Sequence, residues 1–398
     1  MAKATLLVLD GFGVGAMADC KDVKPEDLSA NTYQHLLETT NLQLPTLERL
    51  GLRKIAFDDG NAEAAYGRSN LAHYGADTFM GHQELMGSKP GRPMKRQMKE
   101  VGPKIKAALE TAGYHVTHPK KEAPLLLVDG VVVVGDNLES QLGNIINVTA
   151  DLVLISFAEA CTIARVVRSA VDTSRVIVFG NEQRTSIEQI VAAIEEGHPG
   201  QWGVNAPKAE VYGEGYQVLH LGYGVDHQKQ FAHIAEQAGV PVYRIGKTAD
   251  VIQATGYADP EVETKELLPK YKKLYLEAED NAIFLVNVQE TDLAGHKEDG
   301  NWYRETLEAV DAFLEDFLPQ LGEGDVIIIT ADHGNDPTIG HSQHTREQTP
   351  ILVYGPSVRP VSIGTRATMA DLAAMLSEFA GVEKPEFGKS FLGEVYGG

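Results

Sequence analysis

Short apolar runs rich in β-branched residues recur along the chain, at residues 4–9, 125–128, 131–134, 152–156, 175–179, 217–221, 241–245, 283–288, 326–330 and 351–354. Runs of this length, bounded by Gly, Pro and Asp, predict strands. Between several of them apolar positions return at helical spacing, over 33–39, 98–112, 158–170, 185–196, 227–238, 264–278, 302–320 and 369–380. In 302–320 the residues Trp302, Leu307, Val310, Phe313 and Phe317 form one stripe, which reads as core packing. Asp129-Gly130 breaks the apolar stretch 125–135 into two short strands around a turn, and Asp226 reads as a helix N-cap. Strands alternating with helices predict an α/β protein.

Three of the predicted strands end alike. Thr5-Leu-Leu-Val-Leu runs into Asp10-Gly11, and the strand from Ile283 runs on to Asp292 and His296. The run Ile-Ile-Ile-Thr330 is followed by Ala331-Asp332-His333-Gly334, with His344 further on. In a parallel sheet the carboxyl ends of strands share one edge, so residues distant in sequence converge there. Asp10, Asp292, His296, Asp332, His333 and His344 supply three carboxylates and three imidazoles. That donor set suits two divalent cations of borderline hardness, Mn²⁺ or Zn²⁺.

Composition narrows the field. The 398 residues, 43% of them hydrophobic, can bury a large core and allow two or three domains. With 35 Lys and Arg against 56 Asp and Glu, the formal net charge is −21. A nucleic-acid binder needs a basic footprint, so that class is excluded, whereas a phosphorylated substrate remains compatible because bound cations invert the local field. Two cysteines, Cys20 and Cys161, do not make a disulfide framework and suit a reducing compartment. The chain contains no run of ~20 apolar residues that would span a membrane, and a cytoplasmic enzyme is expected.

A nucleophile is sought next. Asp77-Thr78-Phe79-Met80-Gly81-His82-Gln83-Glu84 has Thr78 as its one hydroxyl. A metal-bound threonine oxygen loses its proton more readily and can attack phosphorus. The same residue is equally suited to capping a helix.

Several segments resemble the phosphopentomutases of the alkaline phosphatase superfamily. They are Asp10-Gly-Phe-Gly-Val-Gly-Ala-Met, Ser29-Ala-Asn-Thr32, Asp77-Thr78-x-x-Gly81-His82-x-Glu84, Ile245-Gly246-Lys247, Thr330-Ala-Asp-His-Gly-Asn-Asp-Pro337 and His344-Thr-Arg-Glu347. The stretch from Met369 to Phe391 is similar to that family too. The resemblance implies an alkaline-phosphatase-like core, a mostly parallel sheet with helices on both faces. It also implies an inserted α/β cap, giving core segments 1–95 and 217–398 around a cap at 96–216. It implies one metal held by Asp292, His296 and His344, and another by Asp10, Asp332 and His333. Thr78 would carry the phosphoryl group between them, and Lys247 would lie near the substrate phosphate. The activity implied is that of an isomerase, a phosphosugar mutase moving a phosphoryl group between C1 and C5 hydroxyls. Two divalent cations would serve it, Mn²⁺ first and Zn²⁺ or Mg²⁺ as alternatives, with a sugar bisphosphate activator.

The sequence departs from that pattern in places. The interval from Asp292 to His296 is one position shorter than in phosphopentomutases and resembles the cofactor-independent phosphoglycerate mutases. Ala76, Met80 and Gln83 replace the family's Lys, Thr and Trp beside Thr78. In the cap, Arg175 stands in a segment resembling one whose arginine contacts substrate, and Glu159 stands where an aspartate is expected. Other cap residues of the family are replaced, so the preferred sugar need not be ribose. A phosphatase or phosphodiesterase acting on a small phosphorylated metabolite is the competing enzyme reading, and a metal-binding relative without activity is the third.

Overall fold

The structure is a computed structural model that describes residues 2–140, 142–279 and 281–396. Contacts divide the chain into one unit of Met1–Pro90 with Asp226–Gly398 and another of Gly91–Val225.

The first unit is built on an eight-stranded sheet. Its order is Ala258–Asp259, Val242–Gly246, Ile283–Val288, Ala4–Leu9, Val326–Thr330, Thr349–Tyr354, Ala65–Ser69, Ser362–Arg366. The first five strands are parallel. Thr349–Tyr354 runs antiparallel to both neighbours. The three strands that end in Asp are adjacent at the centre, with Leu9 opposite Val288 and Val8 opposite Thr330.

Both sheet faces are buried, which is why these strands read as continuous apolar runs. Leu7, Leu9, Phe284, Val286, Ile327 and Ile329 enter one core, under the helices Thr32–Thr40, Thr264–Glu277 and Gly300–Phe317. Leu6, Val8, Ile283, Leu285, Val326 and Ile328 enter the other, under Phe231–Gln237 and Ala370–Phe379. Each such side chain is worth roughly 1.5–3 kcal/mol in burial. The long helix expected at 302–320 starts earlier, capped by Asp299, and tightens into a 3-10 turn at Leu318–Gln320, where Pro319 cannot continue the α-helical bonding.

The second unit has a six-stranded sheet ordered Tyr216–Gly222, Arg175–Asn181, Ile145–Ala150, Val132–Asp136, Leu126–Val128, Val116–Thr117. The helices Met98–Thr111 and Phe157–Ala170 share one core with it, and the shorter helix Ile187–Ala192 shares the other.

Some expectations are corrected. Residues 152–156 are not a strand. Asp151 Oδ1 accepts from the backbone N of Val153 and Leu154 to make a turn, and those two side chains are exposed. The neighbouring strand is Ile145–Ala150, which the apolar pattern did not reveal. Tyr216–Gly222 pairs antiparallel with Arg175–Asn181, so this strand belongs with the second unit and not with residues 226–398. The helix expected at 227–238 is a 3-10 turn, His227–Lys229, capped by Asp226, followed by the helix Phe231–Gln237. No helix among the described residues is long and apolar enough to cross a membrane.

Candidate metal centre

Asp10 follows directly on Ala4–Leu9, and Asp332 and His333 lie just beyond Val326–Thr330. Asp292 and His296 sit on the short helix Glu290–His296 that follows Ile283–Val288. Adjacent parallel strands therefore bring the three acids to one edge. A further helix, Thr78–Leu85, is capped by Asp77, whose Oδ1 accepts from Met80 N. Thr78 is thus the first residue of the helix and not its cap, and its hydroxyl is available. It donates to Asp332 Oδ2 at 2.7 Å. Gly81 lets this helix lie against the strand end, since a Cβ there would stand 2.6 Å from the Asp332 carbonyl oxygen.

Lys247 enters from the end of Val242–Gly246. Gly246 has φ 78° and leaves no room for a Cβ, which would meet the Asn287 carbonyl at 2.2 Å, so the turn that delivers Lys247 requires glycine. Lys247 Nζ lies 2.6 Å from Asp10 Oδ2 and 3.2 Å from Asp292 Oδ2, and donates to Thr78 Oγ1 at 3.2 Å. Although burial opposes its charge, Asp10 and Asp292 push its pKa upward.

The imidazoles are oriented by backbone carbonyls, which only accept. His344 Nδ1 donates to Ala76 O at 3.0 Å, His333 Nδ1 to Gly334 O at 2.9 Å, and His296 Nδ1 to Ser342 O at 2.7 Å. In the neutral ring this leaves each Nε2 as a bare acceptor, the form that ligates a metal. His344 Nε2 is 3.3 Å from Asp292 Oδ1 and 3.0 Å from His296 Nε2. Two Nε2 lone pairs at that separation need a proton or a cation between them. His333 Nε2 lies 3.2 Å from Asp332 Oδ2 and 3.5 Å from Asp10 Oδ1. Asp10 Oδ1 and His333 Nε2 are buried without a hydrogen-bond partner. This donor set fits divalent cations.

Electrostatics agree. Burial, with Asp332 next, raises the Asp10 carboxyl to about 7. Burial disfavours charge on His333, yet Asp332 outweighs it and lifts the ring to about 10. Burial also opposes ionisation of Asp292 and Asp332, but the neighbouring imidazoles, His344 and His333 foremost, hold both well below the usual carboxylate range. Carboxylates and imidazoles this crowded call for added positive charge.

Donor atoms within 4.8 Å of one another form two groups, Asp292 with His333 and His344, and Asp10 with His82 and Asp332. This grouping differs from the resemblance-based sets. His333 stacks on His344 with centroids 3.9 Å apart, which draws it toward Asp292, and His296 is the most exposed of the imidazoles. His82 falls in the second group by proximity, with its Nδ1 facing the Thr78 carbonyl and Asp332 Oδ2, and it was not among the expected site residues. Its place four residues after Thr78, on the same helical face, was the available signal.

Other supporting groups also escaped the sequence reading. Asn287 Nδ2 donates to Asp10 Oδ2 at 2.7 Å, and Asn335 Nδ2 donates to Asp292 Oδ1 at 2.8 Å. Glu84 is fully buried and accepts from Ala72 N, His73 N, His73 Nδ1, Thr368 Oγ1 and Met369 N. Arg346 donates to the carbonyls of Leu71, His73 and Gly75 while pairing with Asp19. Glu84 and Arg346 together fix the loop that leads into Asp77 and Thr78. Gln83 is buried, accepts from Gln230 Nε2 at 2.9 Å and donates to Val251 O at 2.8 Å.

Arg175 and Glu159 lie in the second unit. Arg175 opens the strand Arg175–Asn181, opposite Ile145 and Gly222. Glu159 Oε2 accepts from Ser156 N and Oγ in a capping box at the start of Phe157–Ala170.

Comparison with known proteins places these observations in a family. The profile of the Metalloenzyme superfamily matches residues 2–384. The chain is 28% identical to a phosphopentomutase of Symbiobacterium thermophilum, over 99% of this chain and 98% of that protein. It is 29% identical to a phosphopentomutase of Caldanaerobacter subterraneus, with the same coverage of each. Among solved structures, the phosphoglycerate mutase of Leishmania mexicana aligns over 98% of this chain and 97% of that one, at 12% identity and TM-score 0.46.

Proposed function

The chain belongs to the Metalloenzyme superfamily, and from that premise we propose that it is a phosphosugar mutase of the phosphopentomutase kind, with Thr78 as the group that carries the phosphoryl. The observation that carries this reading is the position of Thr78 Oγ1, 2.7 Å from Asp332 Oδ2 and 3.2 Å from Lys247 Nζ. A hydroxyl held between a carboxylate of a metal centre and a buried ammonium is set up to exchange a phosphoryl group.

Asp10, Asp292, His296, Asp332, His333 and His344 would hold two divalent cations, Mn²⁺ in the first instance. When bound, the cations offset charge on the transferring phosphoryl group and on the oxygens it moves between. In the resting enzyme Thr78 carries the phosphoryl group. Its Oγ1–P bond breaks as a sugar-monophosphate hydroxyl forms a new O–P bond, and the hydroxyl proton ends on Thr78 Oγ1. The sugar bisphosphate turns over. The P–O bond at its other end breaks as Thr78 Oγ1 regains a phosphoryl group, and the Thr78 proton ends on the freed sugar oxygen. Lys247 neutralises phosphoryl oxygens near Thr78, and the inserted unit, Gly91–Val225, selects the sugar, with Arg175 and Glu159 as contacts. The setting would be cytoplasmic.

A second reading has a specific basis. Ala76, Met80 and Gln83 replace the family residues around Thr78, and a phosphothreonine attacked by water gives a phosphatase. Phosphorus NMR of Mn²⁺-loaded protein primed with a sugar bisphosphate separates the two. Ribose 1-phosphate and a panel of other sugar phosphates are offered. Conversion between two phosphoesters with little inorganic phosphate supports the mutase, whereas inorganic phosphate alone overturns it in favour of the phosphatase.

A further inference from the structure

His82 stands apart from the expected site residues, yet one of its ring atoms touches two parts of the site. Its Nδ1 lies 2.8 Å from the Thr78 carbonyl oxygen and 3.2 Å from Asp332 Oδ2. Both partners only accept, so Nδ1 carries the hydrogen. Asp332 Oδ2 also accepts from Thr78 Oγ1 at 2.7 Å. Thr78 Oγ1, Asp332 Oδ2, His82 Nδ1 and Thr78 O therefore form a closed loop of contacts. The ring is fully buried, and Gly81 beside it permits the close approach of the helix to Asp332.

We infer that His82 is a positioning residue, whose Nδ1–H locks the first turn of the Thr78–Leu85 helix and the Asp332 carboxylate into one geometry. The inference rests on the reading of Thr78 as phosphoryl carrier and Asp332 as metal ligand. Without the imidazole, Asp332 Oδ2 loses one donor; Gly11 N still donates to Oδ1 at 3.2 Å and His333 Nε2 still lies 3.2 Å from Oδ2, so the carboxylate is held less closely about χ2 on the side facing Thr78. Thr78 Oγ1 would then follow it away from the orientation that faces Lys247. Groups of this kind behind a ligand hold its angle and set its affinity for the metal.

The test exploits ring geometry. In His82→Asn the side-chain amide nitrogen stands as many bonds from Cβ as Nδ1 does. In His82→Gln it reaches the position of Nε2, and His82→Leu supplies bulk with no donor. Mn²⁺ affinity is measured by calorimetry on metal-free protein without any sugar phosphate, beside melting curves and steady-state kinetics. The expected result is that His82→Asn stays within about threefold of wild type. His82→Gln and His82→Leu should bind Mn²⁺ about 10–100-fold more weakly, with kcat reduced more than KM. Equal affinity in all three variants overturns the inference, and so does an Asn variant that falls as far as Leu.

A second measurement does not depend on the variants folding. Nitrogen-15 NMR of histidine-labelled, metal-free wild type should show His82 protonated at Nδ1, and the Nε2–H tautomer overturns the assignment. Because the calorimetry and the nitrogen-15 spectra use no substrate, failure of the mutase reading would appear in the phosphorus assay and leave these two results legible.

Discussion

Thr78 Oγ1 donates a 2.7 Å hydrogen bond to Asp332 Oδ2 across 254 residues of chain. The contact joins a helix start to the end of a central strand, and the chemistry proposed for this protein depends on it.

Replacing Thr78 by Ala removes the hydroxyl but none of the six proposed ligands. Phosphoryl transfer should fall by at least about 1,000-fold, the loss expected of a missing nucleophile. Metal content by plasma mass spectrometry should stay at the wild-type stoichiometry. Mutase turnover in Thr78→Ala near the wild-type rate would sink the assignment of the carrier.

Metal removal should destabilise the first unit. Asp10, Asp292 and Asp332 crowd together at the carboxyl ends of three adjacent strands, and Lys247 offsets only part of their repulsion. A cation that binds only the folded chain adds about 2.7 kcal/mol at a hundred times its dissociation constant. Chelation should lower the melting temperature, and Mn²⁺ should restore it. Asp332→Asn should blunt that recovery, and a melting curve indifferent to both chelator and Mn²⁺ would contradict the metal centre.

Glu84 is a structural acid. Its two oxygens serve five donors in a fully buried position. Glutamine keeps the shape but turns an NH₂ toward backbone N–H groups, at a cost of about 2–4 kcal/mol. Urea unfolding of Glu84→Gln should show that loss. A midpoint unchanged from wild type would mean that the network holds without the charge.

Asp136 gives the second unit a pH signature. Burial raises its carboxyl from 3.8 to about 6, against the pull of the Met98 and Trp202 backbone N–H groups that it accepts. The folded state thus holds a proton that the unfolded chain has released between these two values. Stability from this group falls as pH rises through that window, and the penalty above pH 6 is on the order of 3 kcal/mol. Carbon-13 titration of the Asp136 carboxyl should show a midpoint near 6. A midpoint near 4 would show that the two N–H donors dominate.

Legibility in the sequence followed burial. Ala4–Leu9, Ile283–Val288 and Val326–Thr330 were readable at their observed bounds because both faces are covered and every position is apolar or nearly so. Ala65–Ser69 and Ser362–Arg366 were not, because the edge half of the sheet carries Gly, Ser and Arg. Residues 152–156 look like a strand by hydropathy alone, and the Asp151 side chain turns them instead.

The donor types are written in the local sequence, since Asp and His at the ends of apolar strands make candidate metal ligands wherever the strands lie. The sequence also carried the resemblance that the Metalloenzyme superfamily profile bears out. Only the tertiary structure decided which donors meet. Placing Ala4–Leu9 between Ile283–Val288 and Val326–Thr330 sets Asp10 beside Asp332, and a glycine-permitted helix brings Thr78 and His82 onto the same carboxylate. Those encounters depend on strand order and close backbone approach, which couple residues far apart in the chain and leave no local pattern in either segment.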